Sequence, residues 1–323
     1  MGILILKQYN ISLSINLQYL PFAFVTIYSL LINNKTRFFN IFILHNNSIQ
    51  QQDINKFLHK QPLNNLHNFK INLCDVSSYI QKANLKPVLR WPIEIFFKIF
   101  LCDIFLQLNQ IIFLDSDVII NNNIEDFLNI DLNNYLLCGD TYPKNNYTNY
   151  LCVGVLIMNL KKMRDIKFKE QILNYRNHSP EKHEEYIINK LYNTDVKTLP
   201  CNYIFTTNSY YVNKQKINFA FKDIKIIHYN DNKPFNINKA SHIAFNHKIL
   251  NTYYQYAKPF VLKKDKIYFY LLIIYANTLA PIYYSYKRRL GKLLQKYFRT
   301  SVKIDSLTQH SLFYSVFKKL LNN

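Results

Sequence analysis

The chain has 323 residues, of which 49% are hydrophobic and 19% charged, so it can form a substantial core and is not a disordered polyelectrolyte. Its formal net charge of +20 ordinarily indicates a polyanionic partner such as nucleic acid or an anionic membrane. The five cysteines are scattered without a C-x-x-C pair, which favours reduced thiols in a cytosolic protein and argues against a disulfide or zinc framework.

Strand-like and helix-like segments alternate along the first part of the chain. Apolar runs rich in β-branched and aromatic residues predict strands at residues 9–15, 38–45, 70–76, 111–120, 135–140 and 152–159. Helical patterns lie at residues 20–33, 49–60, 92–106, 160–176 and 183–192. This alternation predicts an α/β fold with a mainly parallel sheet. With four glycines and no G-x-G-x-x-G or G-K-[ST], the chain has neither a Rossmann dinucleotide fingerprint nor a P-loop.

Two aspartates interrupt an apolar run in I-I-F-L-D-S-D-V-I-I-N-N-N, residues 111–123. In a continuous strand Asp115 and Asp117 would point to the same face and Ser116 to the other. Carboxylates in such a strand belong at its carboxyl end, facing a ligand crevice, where a divalent cation would relieve their repulsion. The alternative is a solvated Asx turn that closes the strand.

Enzymes of two classes place D-x-D on such a strand, namely haloacid-dehalogenase-like phosphohydrolases and nucleotide-sugar glycosyltransferases of the GT-A type. The phosphohydrolases normally carry the motif near the start of the domain, with a second acidic pair later. Here the motif follows four or five elements and no convincing second pair is found. The position therefore favours a glycosyltransferase.

The C-terminal part of the chain is basic and aromatic. Residues 258–323 contain 13 Lys or Arg and two Asp, a surplus of +11. Within them, residues 267–286 form an uncharged stretch of 20 residues with six tyrosines, a composition more typical of a membrane interface than of its hydrocarbon core. We expect this tail to lie on an anionic inner leaflet; the alternatives are a true span and a helical subdomain packed on the core.

Six segments between residues 8 and 236 resemble, in the same order, motifs of glycosyltransferase family eight, the bacterial lipopolysaccharide glucosyl- and galactosyltransferases. They are S-I-N-L-Q-Y-L-P-F-A-F-V-T-I-Y-S-L-L-I-N-N, F-N-I-F-I-L-H, I-I-F-L-D-S-D-V-I-I-N-N-N-I, C-V-G-V-L-I-M-N-L-K-K-M-R, E-E-Y-I-I-N and I-I-H-Y-N-D-N-K-P-F. The resemblance implies a GT-A fold, an α/β architecture with a Rossmann-like mixed sheet flanked by helices. Residues 1–256 would form the transferase domain, with a nucleotide-binding half to about 123 and an acceptor half after it. Residues 257–323 would form a basic aromatic helical tail.

The resemblance also implies a metal site. Asp115, Asp117 and His228 would bind Mn²⁺ or Mg²⁺ on the donor diphosphate, although a lone histidine in I-I-H-Y is more often a core or strand-edge residue. Lys233 would reach the diphosphate as a point charge, or would be a solvated turn lysine. The segment between His228 and Lys233 lacks the glycine that the family has there.

Further donor-site residues follow from the same resemblance. They are Ser14, Asn16, Tyr19, Lys98, Ser116, Gly154 and Glu184. Tyr19 would stack on uracil, and Gly154 would let the backbone approach the sugar. Lys98 stands where the family usually has an arginine, and a plain surface pair with Glu94, one helical turn away, is the alternative.

Three residues are candidates for contact with the reacting sugars. Asp140 matches an aspartate that touches the donor sugar, or is a turn-forming aspartate. Glu185 replaces the family's glutamine, so it would act as a nucleophile or stabilise an oxocarbenium-like transition state, unless it is a helix-surface glutamate. Asn202, in L-P-C-N-Y, matches a family asparagine and is predicted at the acceptor.

These motifs predict a retaining hexosyltransferase that moves glucose or galactose from a UDP-sugar to a lipopolysaccharide core or another surface glycan. It would be cytoplasmic and peripheral on the inner face of the membrane. Departures from the family pattern at Asn16, Lys98, Cys152 and Glu185 leave open a catalytically inactive, membrane-bound glycan- or nucleotide-binding member. The concentration of over half of the net charge in the tail, and the intact D-x-D, argue against a nucleic-acid partner.

Overall fold

A computed structural model of the chain describes residues 7–59, 62–89, 91–144, 147–207, 220–230, 233–234 and 247–261. The chain divides into two compact units, Met1–His228 and Tyr229–Asn323. The described strands of the first unit are β1 (Gln8–Ser14), β2 (Phe38–His45), β3 (Phe69–Asp75), β4 (Gln110–Leu114), β5 (Val118–Ile120), β6 (Leu137–Lys144), β7 (Tyr147–Asn159), β8 (Val196–Thr198), β9 (Ile204–Thr206) and β10 (Ile226–His228). Its described helices are α1 (Leu20–Asn33), α2 (Gln51–Leu58), α3 (Ser77–Lys82), α4 (Leu101–Ile104), α5 (Glu125–Leu128), α6 (Leu160–Asp165), α7 (Phe168–His178) and α8 (Glu184–Tyr192).

Seven strands form a mixed sheet in the order β3-β2-β1-β4-β7-β6-β8. The four strands β3, β2, β1 and β4 are parallel, whereas β7 pairs antiparallel with β4 and β6 antiparallel with β7. Helices joining the parallel strands let their carboxyl ends meet at one edge. The predicted α/β fold with a mixed sheet and flanking helices is confirmed.

The strand predicted at residues 111–120 is wrong in one respect, because it is two strands in different sheets. β4 ends at Leu114, the chain turns through Asp115, Ser116 and Asp117, and β5 then joins a separate three-stranded sheet in the order β5-β10-β9. The run looked continuous because both strands are fully buried. Burial on both faces removes the alternation that would have marked the break.

Helix α1 holds this turn in place. Every residue of α1 from Leu20 to Leu31 is buried, so its polar side chains need partners inside the protein. The hydroxyl of Thr26 lies 3.1 Å from the carbonyl oxygen of Ser116 and 2.7 Å from that of Val118. The backbone N–H of Ile120 donates to the hydroxyl oxygen of Ser29 over 2.9 Å. These bonds hold the aspartate turn and β5 on α1.

Two predicted helices are also interrupted. The segment predicted as one helix at 92–106 is a 3₁₀ run, Ile93–Phe100, followed by the short helix α4. The helix predicted at 160–176 is broken between α6 and α7, where Lys167 adopts a left-handed backbone with φ of 54°. In both places the apolar pattern continues across the change of direction, so periodicity alone does not reveal it.

The hairpin strands β6 and β7 extend beyond their predicted limits of 135–140 and 152–159. Most of the added residues are polar or aromatic, and they include Pro143, which weakens a strand signal. The pairing shifts register between Gly139 and Thr141 and again between Tyr142 and Lys144, so the proline lies at an irregularity that tolerates it.

The second unit contains one described α-helix, α9 (His247–Ala257), and a 3₁₀ turn at Lys258–Phe260. Tyrosines hold its described residues together: the hydroxyl of Tyr229 donates to the carbonyl oxygen of Ile249 over 2.5 Å, and that of Tyr254 to the carbonyl oxygen of Pro234 over 3.1 Å. The tail predicted at 257–323 lies outside the described residues after position 261. Across the described parts of the chain, every helix is too short or too polar to cross a membrane.

Candidate functional site

Asp115, Asp117 and His228 come together as predicted. One ligand atom from each lies within 4.8 Å of the other two. The Nε2 atom of His228 is 3.6 Å from Oδ2 of Asp115 and 3.5 Å from Oδ1 of Asp117. The side chains of Asp117 and His228 are each 3% exposed and that of Asp115 is 36% exposed, so the group is buried but has one open side.

The pairing of β5 with β10 explains how a distant histidine reaches the aspartates. His228 is the register partner of Val118, the residue that directly follows Asp117. The break between β4 and β5 therefore does two things. It places the aspartates at the carboxyl end of β4, and it leaves β5 free to pair with the strand that ends in the histidine.

This group suits one divalent cation. Carboxylate oxygens and an imidazole nitrogen are common ligands of Mg²⁺, Mn²⁺ and related ions. Neighbouring ligands of an octahedral ion about 2.1 Å away lie about 3 Å apart. The measured separations of 3.5 and 3.6 Å are close to that spacing. The residues thus fit a metal, and a small contraction would bring their three ligand atoms to coordinating distance.

Gly154 makes room for these ligands. A Cβ atom at this position would lie 2.2 Å from Cε1 of His228 and 2.5 Å from Oδ2 of Asp115, far inside van der Waals contact. The carbonyl oxygen of Gly154 also accepts a hydrogen bond of 2.7 Å from the backbone N–H of Asp115. The sequence predicted that this glycine lets the backbone approach the sugar, which stays a prediction. Its packing against the metal group was missed.

Cys152 supports the histidine from the other side. Its Sγ atom is 3.4 Å from Nδ1 of His228, so the imidazole is held between the thiol and the two aspartates. Burial opposes protonation of this ring, but Cys152 and Asp115 outweigh burial and raise the pKa of His228 to about 10. A metal would replace that proton at Nε2.

Lys98 and Glu184 form a buried ion pair beside β7. The Nζ atom of Lys98 is 3.1 Å from Oε1 of Glu184 and donates over 3.1 Å to the carbonyl oxygen of Val153. Lys98 is only 2% exposed, so the surface pair with Glu94 is wrong. The lysine that stands where the family usually has an arginine is therefore the partner of Glu184.

The charges of this pair respond to burial and to each other. Burial raises the pKa of Glu184 to about 7, although Lys98 opposes the change. Burial disfavours the ammonium of Lys98, but Glu184 and Asp115 outweigh burial and the pKa of Lys98 is raised. Lys98 thus stays a cation close to the carboxylates of the site.

Glu185 faces β7 and is not a solvated helix-surface residue. Its side chain is 20% exposed; Oε2 lies 3.5 Å from the backbone nitrogen of Val153, and Oε1 lies 3.5 Å from Nζ of Lys144. Asn189, one turn later in α8, receives a 2.6 Å hydrogen bond from the N–H of Leu151 and donates over 2.9 Å to its carbonyl oxygen. The sequence did not single out Asn189, which fixes α8 on β7 and so positions Glu185.

The remaining candidates occupy several places around the sheet. Asp140 is 5% exposed within β6, so the turn interpretation is wrong. Asn202 is half-buried between β8 and β9, and its carbonyl oxygen accepts from the N–H of Lys225 over 2.9 Å. Lys233 is half-buried and belongs to the second unit.

Four candidates surround the ends of β1 and β4. The side chain of Asn16 accepts from the N–H of Gln18 and caps the 3₁₀ turn Leu17–Tyr19, and the ring of Tyr19 packs edge-on against a phenylalanine. The hydroxyl oxygen of Ser14 is buried with no hydrogen-bond partner among the described residues, and Ser116 is buried in the aspartate turn. Their contacts with a donor stay predictions.

Comparison with known proteins agrees with this geometry. Among solved structures, the galactosyltransferase LgtC in complex with donor and acceptor sugar analogues matches with a TM-score of 0.63 at 14% identity, over 80% of this chain and 99% of that one. An active-site mutant of LgtC matches with a TM-score of 0.57 at 15% identity, over 70% of this chain and 89% of the other. The glycosyltransferase GlyE of Streptococcus pneumoniae TIGR4 gives 0.59 at 15% identity over 85% of this chain, which spans 64% of GlyE.

At these identities the solved structures establish the GT-A fold and no more. Among curated proteins no relative matches the chain. The model of the family described as glycosyl transferase family 8 matches residues 10–238, from the first strand past the histidine of the metal group. Since that match covers well over half of the sequence, the chain belongs to glycosyl transferase family 8.

Proposed function

We propose that the chain is a metal-dependent, retaining hexosyltransferase that moves glucose or galactose from a UDP-sugar to a lipopolysaccharide core or another surface glycan. The observation that carries this proposal is the arrangement around β7. Gly154 adjoins the metal group of Asp115 and His228, and Val153, the preceding residue, adjoins the Lys98–Glu184 pair and Glu185. A diphosphate site and a carboxylate for the sugar would thus be neighbours.

The metal group would bind the donor diphosphate. Asp115, Asp117 and His228 would hold Mn²⁺ or Mg²⁺, which when bound would neutralise negative charge on the departing UDP. The protein's own residues would supply orientation and a buried environment, in which electrostatic interactions are stronger than in water. Lys98, kept cationic by the surrounding carboxylates, adds positive charge close to Asp115.

Glu185 would act on the sugar. In a double displacement its carboxylate would form a bond to the anomeric carbon as the bond to the diphosphate breaks and UDP leaves with the electron pair. An acceptor hydroxyl would then attack the same carbon while the bond to Glu185 breaks and its electron pair returns to the carboxylate, and the hydroxyl proton would pass to water. Two inversions give net retention. In the alternative role the carboxylate would stabilise an oxocarbenium-like transition state without bonding to it.

Replacing Glu185 with glutamine tests its part in the reaction. The substitution keeps the shape of the side chain and removes its charge, so we expect the transfer rate to fall by at least about 100-fold. The measurement is the rate of UDP release with the active donor at saturating concentration, alongside circular dichroism to confirm folding. A variant that kept the full transfer rate would exclude both roles for Glu185.

A panel of UDP-sugars tests the proposed function. We expect one donor, UDP-glucose or UDP-galactose, to release UDP in the presence of Mn²⁺ or Mg²⁺, and EDTA to abolish the release. The Asp117→Asn variant should lose about 100-fold or more, because metal stabilisation of the leaving group is worth several kcal/mol. Release that was insensitive to EDTA would contradict metal dependence. The absence of release from every donor would instead favour an inactive, nucleotide-binding member.

A further inference from the structure

The hairpin of β6 and β7 holds a lysine in an aromatic setting. The Nζ atom of Lys144 lies 4.1 Å from the centre of the Tyr150 ring and 5.9 Å from that of Tyr142. The rings of Tyr142 and Tyr147 lie 5.6 and 5.5 Å from that of Tyr150. An ammonium is attracted to aromatic faces at these distances. The rings therefore restrict a side chain that is otherwise among the most flexible in proteins.

The held ammonium is directed at Glu185. Its distance to Oε1 is 3.5 Å, and the other carboxylate oxygen is 3.5 Å from the backbone nitrogen of Val153. Lys144 is 38% exposed and Glu185 20% exposed, so the pair is partly buried. Asn189 anchors α8 to β7, and Lys144 ends β6 as the register partner of Tyr147, so each residue of the contact belongs to a regular element.

Among the groups around Glu185, the ammonium of Lys144 has the largest stabilising effect on the charged carboxylate. Charged or titratable groups face it from the 3₁₀ run, from β6, from β7 and from α8 itself; they are Lys98, Lys144, Tyr150, Cys152 and Glu184. Burial raises the pKa of Glu185, and Lys144 is the strongest of the groups that oppose this shift. Lys98 is already paired with Glu184. Lys144 is thus the main counter-charge of Glu185.

We propose that Lys144 is a positioning residue of the transfer reaction: it keeps Glu185 ionised and holds its carboxylate against β7. The proposal rests on the glycosyltransferase function proposed above and deepens it. Lys144 itself does not touch the reacting atoms. It acts by stabilising the charged form of Glu185 and by occupying one carboxylate oxygen, so that the other remains against the Val153 backbone.

Carboxyl NMR of the metal-free protein measures this effect without any turnover. The chain has only six glutamates, so labelling them at the carboxyl carbon gives few signals, and Glu185→Gln identifies the relevant one. We expect Lys144→Met to raise the titration midpoint of Glu185 by about one pH unit or more, because an opposite charge at this distance is removed. Lys144→Arg should restore the midpoint. Lys190→Met, at an exposed position on the same helix, should leave it unchanged.

The transfer rate provides the second readout. Protonation of Glu185 would remove activity as the pH falls, so in Lys144→Met the acid limb of the pH–rate profile should move to higher pH, with recovery at alkaline pH. An unchanged midpoint, or a loss of rate that is equal at every pH, would overturn the role of Lys144. A shifted midpoint in a protein that transfers no sugar from any donor would instead overturn the proposed function and uphold the ion pair.

Discussion

Replacing Gly154 with alanine is expected to destroy the metal group while the rest of the fold survives. The added Cβ would lie 2.2 and 2.6 Å from Cε1 and Nε2 of His228 and 2.5 Å from Oδ2 of Asp115. Both ligands would have to move, and misplacement by about 1 Å is enough to reduce a reaction about 100-fold. We expect Mn²⁺ affinity to fall by about 100-fold, the upper end of the loss seen when groups that orient metal ligands are removed.

Gly139 provides the matched control. It lies in the neighbouring strand β6, and a Cβ there would meet side-chain methyl groups of Leu151 and Leu156 at 2.9 and 3.1 Å and the carbonyl oxygen of Val155 at 3.1 Å. Gly139→Ala should lower stability and leave Mn²⁺ affinity close to that of the unmodified protein. Isothermal titration calorimetry of the two variants makes the comparison. Equal affinities would contradict the role given to Gly154.

Replacing Lys98 with methionine is expected to have the largest effect on stability. Methionine fills most of the space of the lysine stem but leaves the carboxyl group of Glu184 buried without its cation. Breaking a buried ion pair from one side typically costs about 3–5 kcal/mol. Since Glu184 can take up a proton instead, the loss is smaller: we expect about 1–2 kcal/mol in the free energy of unfolding near pH 8, measured by chemical denaturation.

The loss should depend on pH in a defined direction. A carboxyl group whose pKa is raised in the folded state binds its proton more tightly there. The free energy of unfolding therefore falls as the pH rises above the pKa that the group has in the unfolded chain. In the unmodified protein this decline ends near pH 7, the raised pKa of Glu184. Without Lys98 the pKa of Glu184 rises further, and the free energy of unfolding keeps falling above pH 7. The difference in stability between Lys98→Met and the unmodified protein should therefore be small at pH 5 and grow above pH 7.

The exposed pair of Lys56 and Asp53 provides the control for this substitution. Their side-chain atoms are 2.9 Å apart, but Lys56 is 64% exposed. Lys56→Met should change stability little at any pH, because exposed ion pairs contribute little. A Lys98→Met protein as stable as the Lys56→Met protein at pH 8 would show that the buried pair does not bear the charge attributed to it.

The sequence revealed the elements whose signals are local. The apolar runs of β1 and β2 and the helix α1 were predicted nearly to the residue, since a buried strand or helix carries its pattern within itself. The D-x-D motif predicted a metal site at Asp115 and Asp117 because two carboxylates in an apolar run are costly without a partner. Membership of the family added His228, which its own surroundings would not have distinguished from a core histidine.

The features that were missed depend on contacts between distant segments. The separation of β4 from β5 follows from the side chains of Thr26 and Ser29 in α1, which lie some 90 residues earlier in the sequence. The pairing of Lys98 with Glu184 joins positions 86 residues apart. Neither local sequence indicates the distant partner, and Glu94, one helical turn from Lys98, therefore appeared equally suitable as its ion-pair partner.

The binding of Mn²⁺ to the intact chain tests the central claim most directly. Free Mn²⁺ gives an electron paramagnetic resonance signal that is lost on binding, so a titration counts sites and measures affinity without any substrate turnover. We predict one Mn²⁺ per chain, bound more tightly in the presence of UDP, and a loss of this site in Asp117→Asn. Equal binding by the unmodified chain and Asp117→Asn, or no binding by the unmodified chain even with UDP, would contradict a metal site at Asp115, Asp117 and His228.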